Sequence, residues 1–307
     1  MGFDIVGVGA AAYDYLCIVE KYPEEDGSTN ILAIHNQGGG CVATALVAAS
    51  RLGSSTAYIG NTGDNFGGNY IREDFVKEGV DISGVQVFPG RHSTEGYVMI
   101  DPTKSTRTKF PYSNDLPDII WTREKEDLIR QAKILHIDGT NYNNCLKAAQ
   151  IARESGVLVS LDGCGRKKNT ALNAELAMMA DILIMNEEFP YYASGRDNLE
   201  EAMNFFAEGH ARVIISTLGA KGCVALEYGK LVYYPAYKVE AVDTTGAGDV
   251  FHGAFLDAWL RGYTQYAAVV YASAVAAMKC RQIGGRAGIP NHEETLQFMK
   301  ENAEDMN

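Results

Sequence analysis

The sequence predicts an α/β protein: one mostly parallel sheet with helices on both faces, carrying a small β-sheet lid. Three observations predict it. Apolar runs ending in Gly, Asp or Asn recur along the 307 residues, as "FDIVGVG", "STAYIG", "AKILHID", "GVLVSLD", "ADILIMN" and "ARVIISTLG", the pattern of strands buried on both faces. Stretches of helical spacing lie between them. Strand and helix therefore alternate, and right-handed crossovers then give a parallel sheet with its ligand crevice at the carboxyl ends of the strands. Two segments break the rule, about residues 13–37 and 93–114, where apolar and polar residues alternate around turn-formers as half-exposed antiparallel strands do. No internal repeat and no Pro/Gly/Ser linker divides the chain, which predicts a single domain over 1–307 with these segments as its lid.

The first strand opens into "GVGAAA", Gly7 to Ala12, close to a dinucleotide-binding fingerprint. That fingerprint needs a helix on the turn to receive a pyrophosphate. Here the strand-like "YDYLCIVEKYP" follows, so close strand packing is the expected role. Next comes "GGGCVATALVAASRLG", Gly38 to Gly53, in which three glycines open a small-residue helix with Gly53 as its C-cap. Small residues let that helix lie close on the sheet, and the glycine backbone lets a polar ligand approach, with Asp14 of the preceding lid strand ready to accept from hydroxyls. "NNCLKAAQIARESG" reads as a helix ending on Gly156 in the same way.

Charge and cysteine usage narrow the partners. A formal net charge of −12, with no basic run longer than "RKK" at Arg166 to Lys168, argues against nucleic acid, whose phosphates are held by clustered Lys and Arg. The six cysteines are scattered with no C-x-x-C pair, so metal-cluster and disulfide frameworks are not expected. No apolar signal segment precedes the first strand and no apolar run approaches ~20 residues, so a reducing cytoplasm is the expected compartment.

The chemistry is concentrated in "VDTTGAGDVFHGAF", Val242 to Phe255. Glycines allow a tight turn with exposed N–H groups, and a helix start adds unpaired N–H groups and the positive end of a dipole. That is an anion site, yet Asp249 puts a carboxylate where an anion would lie. A glycine nest coupled to one acid is what phosphoryl transfer to an alcohol needs: amides for the moving charge, and a base for the hydroxyl proton. The G-x-x-x-x-G-K-[ST] phosphate loop is absent.

"DTTGAGDVFHGAF" resembles the C-terminal signature of the ribokinase-type (PfkB) sugar kinases, and "GGGCVATALVAASRLG…YIGNTGDNFGGNYIREDFVKEGVD" resembles their N-terminal one. The resemblance spans nearly the whole chain. It implies a ribokinase-like fold of about nine main strands with a β lid, ATP as donor, Mg2+ and a sugar hydroxyl as acceptor; the exposed apolar faces of the two alternating segments predict a homodimer through the lid. By the resemblance, Asp249 is the base and the amides of Gly246, Ala247 and Gly248 form the anion hole. Asp14, Gly39 and Gly40 fall on the sugar; Thr217, Gly219 and Gly222 fall on the nucleotide. Asp243 and Thr245 lie near the monovalent-cation (K+) site that many members have.

Several positions depart from the family pattern. Thr44 stands where many members place an Asn on the sugar, which disfavours ribose and favours a bulkier ketohexose. Asn186 matches an N-x-x-E stretch near magnesium, but Phe189 replaces its Glu, leaving Glu187 as the substitute. Ser273 replaces an adenine-side Asn, and Arg166 matches an Arg used near substrate by fructokinase-like members. Within the family the chain is most similar to the sulfofructose kinases, through "GGGCVATA" and "GGRAGIP", but Ser28 and Thr140 stand where basic residues would meet a sulfonate. A sulfosugar kinase and a nucleoside kinase remain alternatives. The latter needs an aromatic slot for a base, which Tyr13, Tyr15 and Tyr97 could form.

Overall fold

Buried on both faces, the apolar runs pair into a nine-stranded sheet. The computed structural model describes residues 2–101, 103, 106–164 and 170–306. In it β1 (Ile5–Val8), β4 (Thr56–Gly63), β5 (Val80–Phe88), β8 (Ile134–Ile137), β9 (Leu158–Gly163), β10 (Ile182–Asn186), β11 (Val213–Thr217), β12 (Cys223–Glu227) and β13 (Lys230–Tyr234) take the order β13-β12-β11-β10-β9-β8-β1-β4-β5. All neighbours are parallel except at the β12 and β13 edge, which is an antiparallel hairpin. Its two-residue turn, Tyr228–Gly229, has φ of 51° and 76°, as a type I′ turn requires. A tyrosine in place of the usual Asn or Asp hides that turn in the sequence.

Alternate strand residues feed two cores. Ile5, Ile134, Ile182 and Ile184 pack with α1 (Cys41–Leu52), α2 (Phe66–Lys77), α8 (Ala247–Leu260) and α9 (Gln265–Lys279) on one face. Val6, Leu135, Leu183 and Met185 pack with α3 (Arg123–Arg130), α4 (Tyr142–Glu154), α5 (Thr170–Met179), α6 (Phe189–Ser194) and α7 (Leu199–Ala207) on the other. Each such side chain contributes about 1.5–3 kcal/mol by leaving water, so neither layer of helices is optional. Gly53 ends α1 in the left-handed conformation, φ 114°, and α8 lies so close to α1 that a Cβ on Gly253 would stand 2.1 Å from the Ala45 carbonyl oxygen.

The segments of alternating pattern form a second sheet, β3-β2-β6-β7, from β2 (Ala12–Val19), β3 (Ile31–Gly39), β6 (Glu95–Asp101) and β7 (Thr106–Tyr112). β2 and β6 are parallel rather than antiparallel, because each follows a strand of the main sheet, β1 or β5, and both leave from its carboxyl edge. Register sorts the faces. Asp14, Gly96, Leu16, Val98, Lys109, Ile100 and Arg107 share one side, where Leu16, Val98 and Ile100 pack on Ile283 of the main body. Tyr15, Tyr97, Phe110, Tyr112 and Ile34 share the other. The last four are 38%, 48%, 53% and 56% exposed respectively, an apolar surface that a lone sheet would not leave in water.

Candidate active site

The turn before α8 is shaped by Asp243. Its carboxylate accepts from Thr245 N and from Gly284 N, each at 2.8 Å, which ties the loop to the segment after α9. Gly246 caps α8 with φ 73°, and the first helical bond runs from Val250 N to the Gly246 carbonyl at 2.9 Å. The N–H groups of Gly246, Gly248 and Asp249 have no hydrogen-bond partner among the described residues. Ala247 differs from the sequence expectation. Its N–H donates to the Thr244 carbonyl at 3.3 Å, because the turn closes there, so the free donors are those of Gly246, Gly248 and Asp249. A Cβ on Gly248 would meet nothing within 4 Å; the glycine faces open space.

Asp249 occupies the first turn of α8, half-buried. Burial pushes its carboxyl above the usual carboxylate range and the Asp162 carboxylate adds to this, while His252 and Lys109 pull it back. His252, one turn on, places Nε2 3.3 Å from Asp162 Oδ1. Cys41, the first residue of α1, brings its Sγ to 3.6 Å from that of Cys164, and with Asp162 these thiols form a close group that spacing along the chain does not reveal.

On the lid side, bare backbone makes room for Asp14. A Cβ on Gly39 would stand 2.1 Å from Asp14 Oδ2 and one on Gly96 2.2 Å from Oδ1. Gly40 holds φ 93° against the Ala10 carbonyl. Burial raises the Asp14 carboxyl, and the cations of Lys109 and Arg286 oppose that shift. Thr44 departs from its expected role: it is 2% exposed and its Oγ1 accepts from Arg286 Nε at 3.3 Å. Arg286 also donates to the Gly39 carbonyl at 3.3 Å and pairs with Asp74. Thr44 thus props the glycine strand from behind and offers a ligand no surface. The aromatic slot is also absent from this face. Tyr15 and Tyr97 stack with centroids 4.8 Å apart on the outer lid face, and Tyr13 is buried beneath Tyr70 and Phe66.

Asp138, at the carboxyl end of β8, is a site residue that sequence reasoning passed over. It accepts from Ala10 N at 2.8 Å and Thr140 N at 2.9 Å, and burial raises it to about 6. Gly9 of the "GVGAAA" turn is bare for this carboxylate, a Cβ there falling 2.6 Å from Oδ1, which bears out close packing as the turn's role. Beside it lies a 150 Å³ cleft whose lining is part polar, with Asn61, Asn114 and Thr140, and part apolar, with Ile59, Ile71 and Ile119; among the described residues no basic side chain lines it. Ser28 is exposed in the loop between β2 and β3. Basic groups enter from β7 instead: Lys109 acts on both Asp14 and Asp249, and Arg107 Nη1 donates to Thr244 Oγ1 at 3.0 Å. Alternation in β7 was legible in the sequence; which face its cations take was not.

A cavity of 390 Å³ opens on the other side of the glycine turn. Thr217, Gly219, Gly222 and Ser273 line it together with Ala247 and Gly248, and Val239, Phe251, Ala276 and Ala277 give it an apolar wall. Gly222 has φ 98° and no room for a Cβ, which would meet the Tyr234 carbonyl oxygen at 2.0 Å. Asn186 ends β10 and its Oδ1 accepts from Glu188 N and Phe189 N at 3.2 and 2.9 Å, which holds the turn into α6, and Phe189 is core. Glu187 is exposed, 3.9 Å from Lys221 Nζ. Arg166 lies outside the described residues. The Asp243 carbonyl does not fit a bound monovalent cation: Lys279 Nζ already donates to it at 2.7 Å, so a second cation there would meet like charge.

Comparison with known proteins agrees with this geometry. Residues 3–292 match the profile of the pfkB family carbohydrate kinases. The chain is similar to an ATP-dependent ribose-1-phosphate kinase of Halopiger xanaduensis, at 28% identity over 97% of this chain and 98% of that one. It is also similar to fructokinase-1 of Oryza sativa subsp. japonica, at 28% identity over 85% and 88%. Its fold matches that of a ribokinase of Arabidopsis thaliana in complex with ribose and ATP, with a TM-score of 0.85 at 23% identity over 98% of this chain and 99% of that one.

Proposed function

We propose, from the premise that this chain belongs to the pfkB family of carbohydrate kinases, that it transfers the terminal phosphoryl group of ATP to a primary hydroxyl of a small sugar, with Asp249 as general base. One observation carries the reading. Asp249 directly follows the open Gly248 that lines the 390 Å³ cavity, and the lid cation Lys109 acts on it and on Asp14 alike. The acid thus stands between a donor cavity and a hydroxyl-binding lid. The sugar hydroxyl gives its proton to the Asp249 carboxylate as its oxygen bonds to the γ-phosphorus and the bond to the ADP oxygen breaks, while the free N–H groups of Gly246, Gly248 and Asp249 meet the developing charge. Thr217, Gly219, Gly222 and Ser273 hold the nucleotide; Asp14, Gly39 and Gly40 hold the sugar. Magnesium, bound with the nucleotide, neutralises phosphate charge, and Glu187, exposed at the β10 end, is the chain's own carboxylate toward it.

The acceptor we favour is a fructose-like ketohexose. With Thr44 behind the site, support comes from the similarity to a protein named fructokinase-1. Lys109 and Arg107 on the inner lid face favour a second reading, a sugar already bearing a phosphate or sulfonate, and a relative is named ribose-1-phosphate kinase. A panel of fructose, ribose, ribose 1-phosphate, sulfofructose and adenosine, each with ATP and followed by ADP release, decides: fructose with the highest kcat/KM is the expected result. The same outer lid face that is apolar in each copy pairs two copies into a dimer. Among the described residues no helix is long and apolar enough to cross a membrane, and six free thiols suit the cytoplasm we assign.

A further inference from the structure

Lys279 ends α9 and is 0% exposed. Few lysines are buried so completely, because an ammonium removed from water must be repaid by oxygen partners and opposite charge. Its Nζ reaches the Asp243 carbonyl at 2.7 Å, in the loop that carries the anion hole. Asp243 is engaged on every side. Its N–H donates to the Cys280 carbonyl at 3.1 Å, and the same carbonyl accepts from Val242 N at 2.8 Å; its carboxylate accepts from Thr245 N and Gly284 N. Burial lowers the proton affinity of Lys279, while the Asp243 carboxylate, the Cys280 thiol and Asp249 oppose that and Arg107 reinforces it.

A monovalent cation in this loop would do two things: neutralise Asp243, and pull backbone carbonyls together so that the following glycines hold their turn. The tethered ammonium of Lys279 faces the Asp243 charge and holds the Asp243 carbonyl with one charge and a fixed address. We infer that Lys279 is this protein's built-in monovalent cation, fixing the Asp243–Gly248 turn from within, so that phosphoryl transfer needs no added K+. The inference rests on the kinase reading above, but its first test does not depend on turnover.

Thermal melts of the wild-type protein in KCl and in choline chloride at equal ionic strength should coincide, and wild-type kcat should be the same in both salts. Lys279→Ala removes the ammonium and leaves the Asp243 carbonyl, and the carboxylate beside it, without their cation. It should lose about tenfold to a hundredfold in kcat in choline, recover in K+ or ammonium chloride, and melt higher in K+ than in choline. Lys279→Met, which fills the space without charge, should show the loss and no rescue. A wild-type protein whose melting temperature and kcat both rise in K+ would overturn the inference, and so would Lys279→Ala with full turnover in choline. Since the wild-type melts need no variant and no substrate, a failure to fold in Lys279→Ala does not shield the idea. An absence of sugar phosphorylation would remove the kinase reading and leave the melts to decide this one.

Discussion

The carboxylate of Asp14 fills the space that a side chain on Gly39 would need, Oδ2 lying 2.1 Å from where that Cβ would be. The two residues therefore behave as one unit. Gly39→Ala is expected to displace Asp14 and to reproduce Asp14→Ala: a rise of at least about tenfold in the sugar KM with little change for ATP, since charge-assisted hydrogen bonds are worth ~1.5–3 kcal/mol each. Steady-state kinetics with each substrate varied in turn check this. A loss shared equally by ATP would take Asp14 off the sugar.

Asp249→Asn keeps the shape but not the proton acceptor. Turnover should fall by about 10²- to 10⁴-fold with ATP affinity, read by calorimetry, nearly unchanged. In the wild-type enzyme the raised Asp249 pKa places the acid limb of the kcat/KM profile above the ordinary carboxylate range, activity falling as pH drops through it. Near wild-type turnover in the Asn variant would remove Asp249 from the chemistry.

The same shift has a stability consequence of opposite sign. A carboxyl whose folded pKa is raised contributes stability that is fully present below the unfolded pKa, about 3.9, and lost as pH rises through the folded value. At neutral pH Asp249 is thus a cost, so Asp249→Asn should melt at a higher temperature than wild type there, and the difference should vanish near pH ~4. Melts across this pH window test it; a variant that is less stable at neutral pH contradicts the assigned direction.

Gly248→Val tests the anion hole. Because a Cβ at Gly248 points into open space, the fold should tolerate it, with a melting temperature close to wild type. Turnover should drop far more than sugar affinity, because the side chain enters the donor cavity and crowds the phosphate. Equal losses in kcat and sugar KM, together with a lowered melting temperature, would indicate a collapsed loop instead.

The outer lid face predicts assembly. Ile34 is 56% exposed amid Tyr97, Phe110 and Tyr112, so Ile34→Glu should turn a dimer into a monomer at micromolar concentration by analytical ultracentrifugation. A wild-type protein that sediments as a fully active monomer removes the dimer.

How much of this was legible depended on the range of the interaction. The six strands of the apolar runs, α1 and α4 with their glycine ends, and the acid after the glycine turn are local patterns read directly from residue order, whereas β5, β12 and β13 lie outside those runs. Arg286 on Thr44, Lys279 on Asp243 and Cys41 beside Cys164 join positions far apart in the chain, and neither propensity nor periodicity encodes such meetings. Thr44 shows the same limit: its hydroxyl turns its oxygen toward a guanidinium from the far end of the chain, which the motif does not reveal. The tyrosines failed through parity, since a residue next to Asp14 on a strand points away from what Asp14 touches.

The near-contact of Gly253 with the Ala45 carbonyl bears on how such an enzyme can change over generations. It welds the helix that begins beside Gly39 and Gly40 to the helix that carries Asp249 in its first turn, so the spacing of these residues is set between two helices that the lid strands do not form. Substitutions on the inner face of β6 can then alter which molecule is admitted without moving either helix, whereas on β7 Arg107 holds Thr244 of the turn before α8 and Lys109 acts on Asp249. New acceptors become accessible to such a lineage by small steps, each a working catalyst.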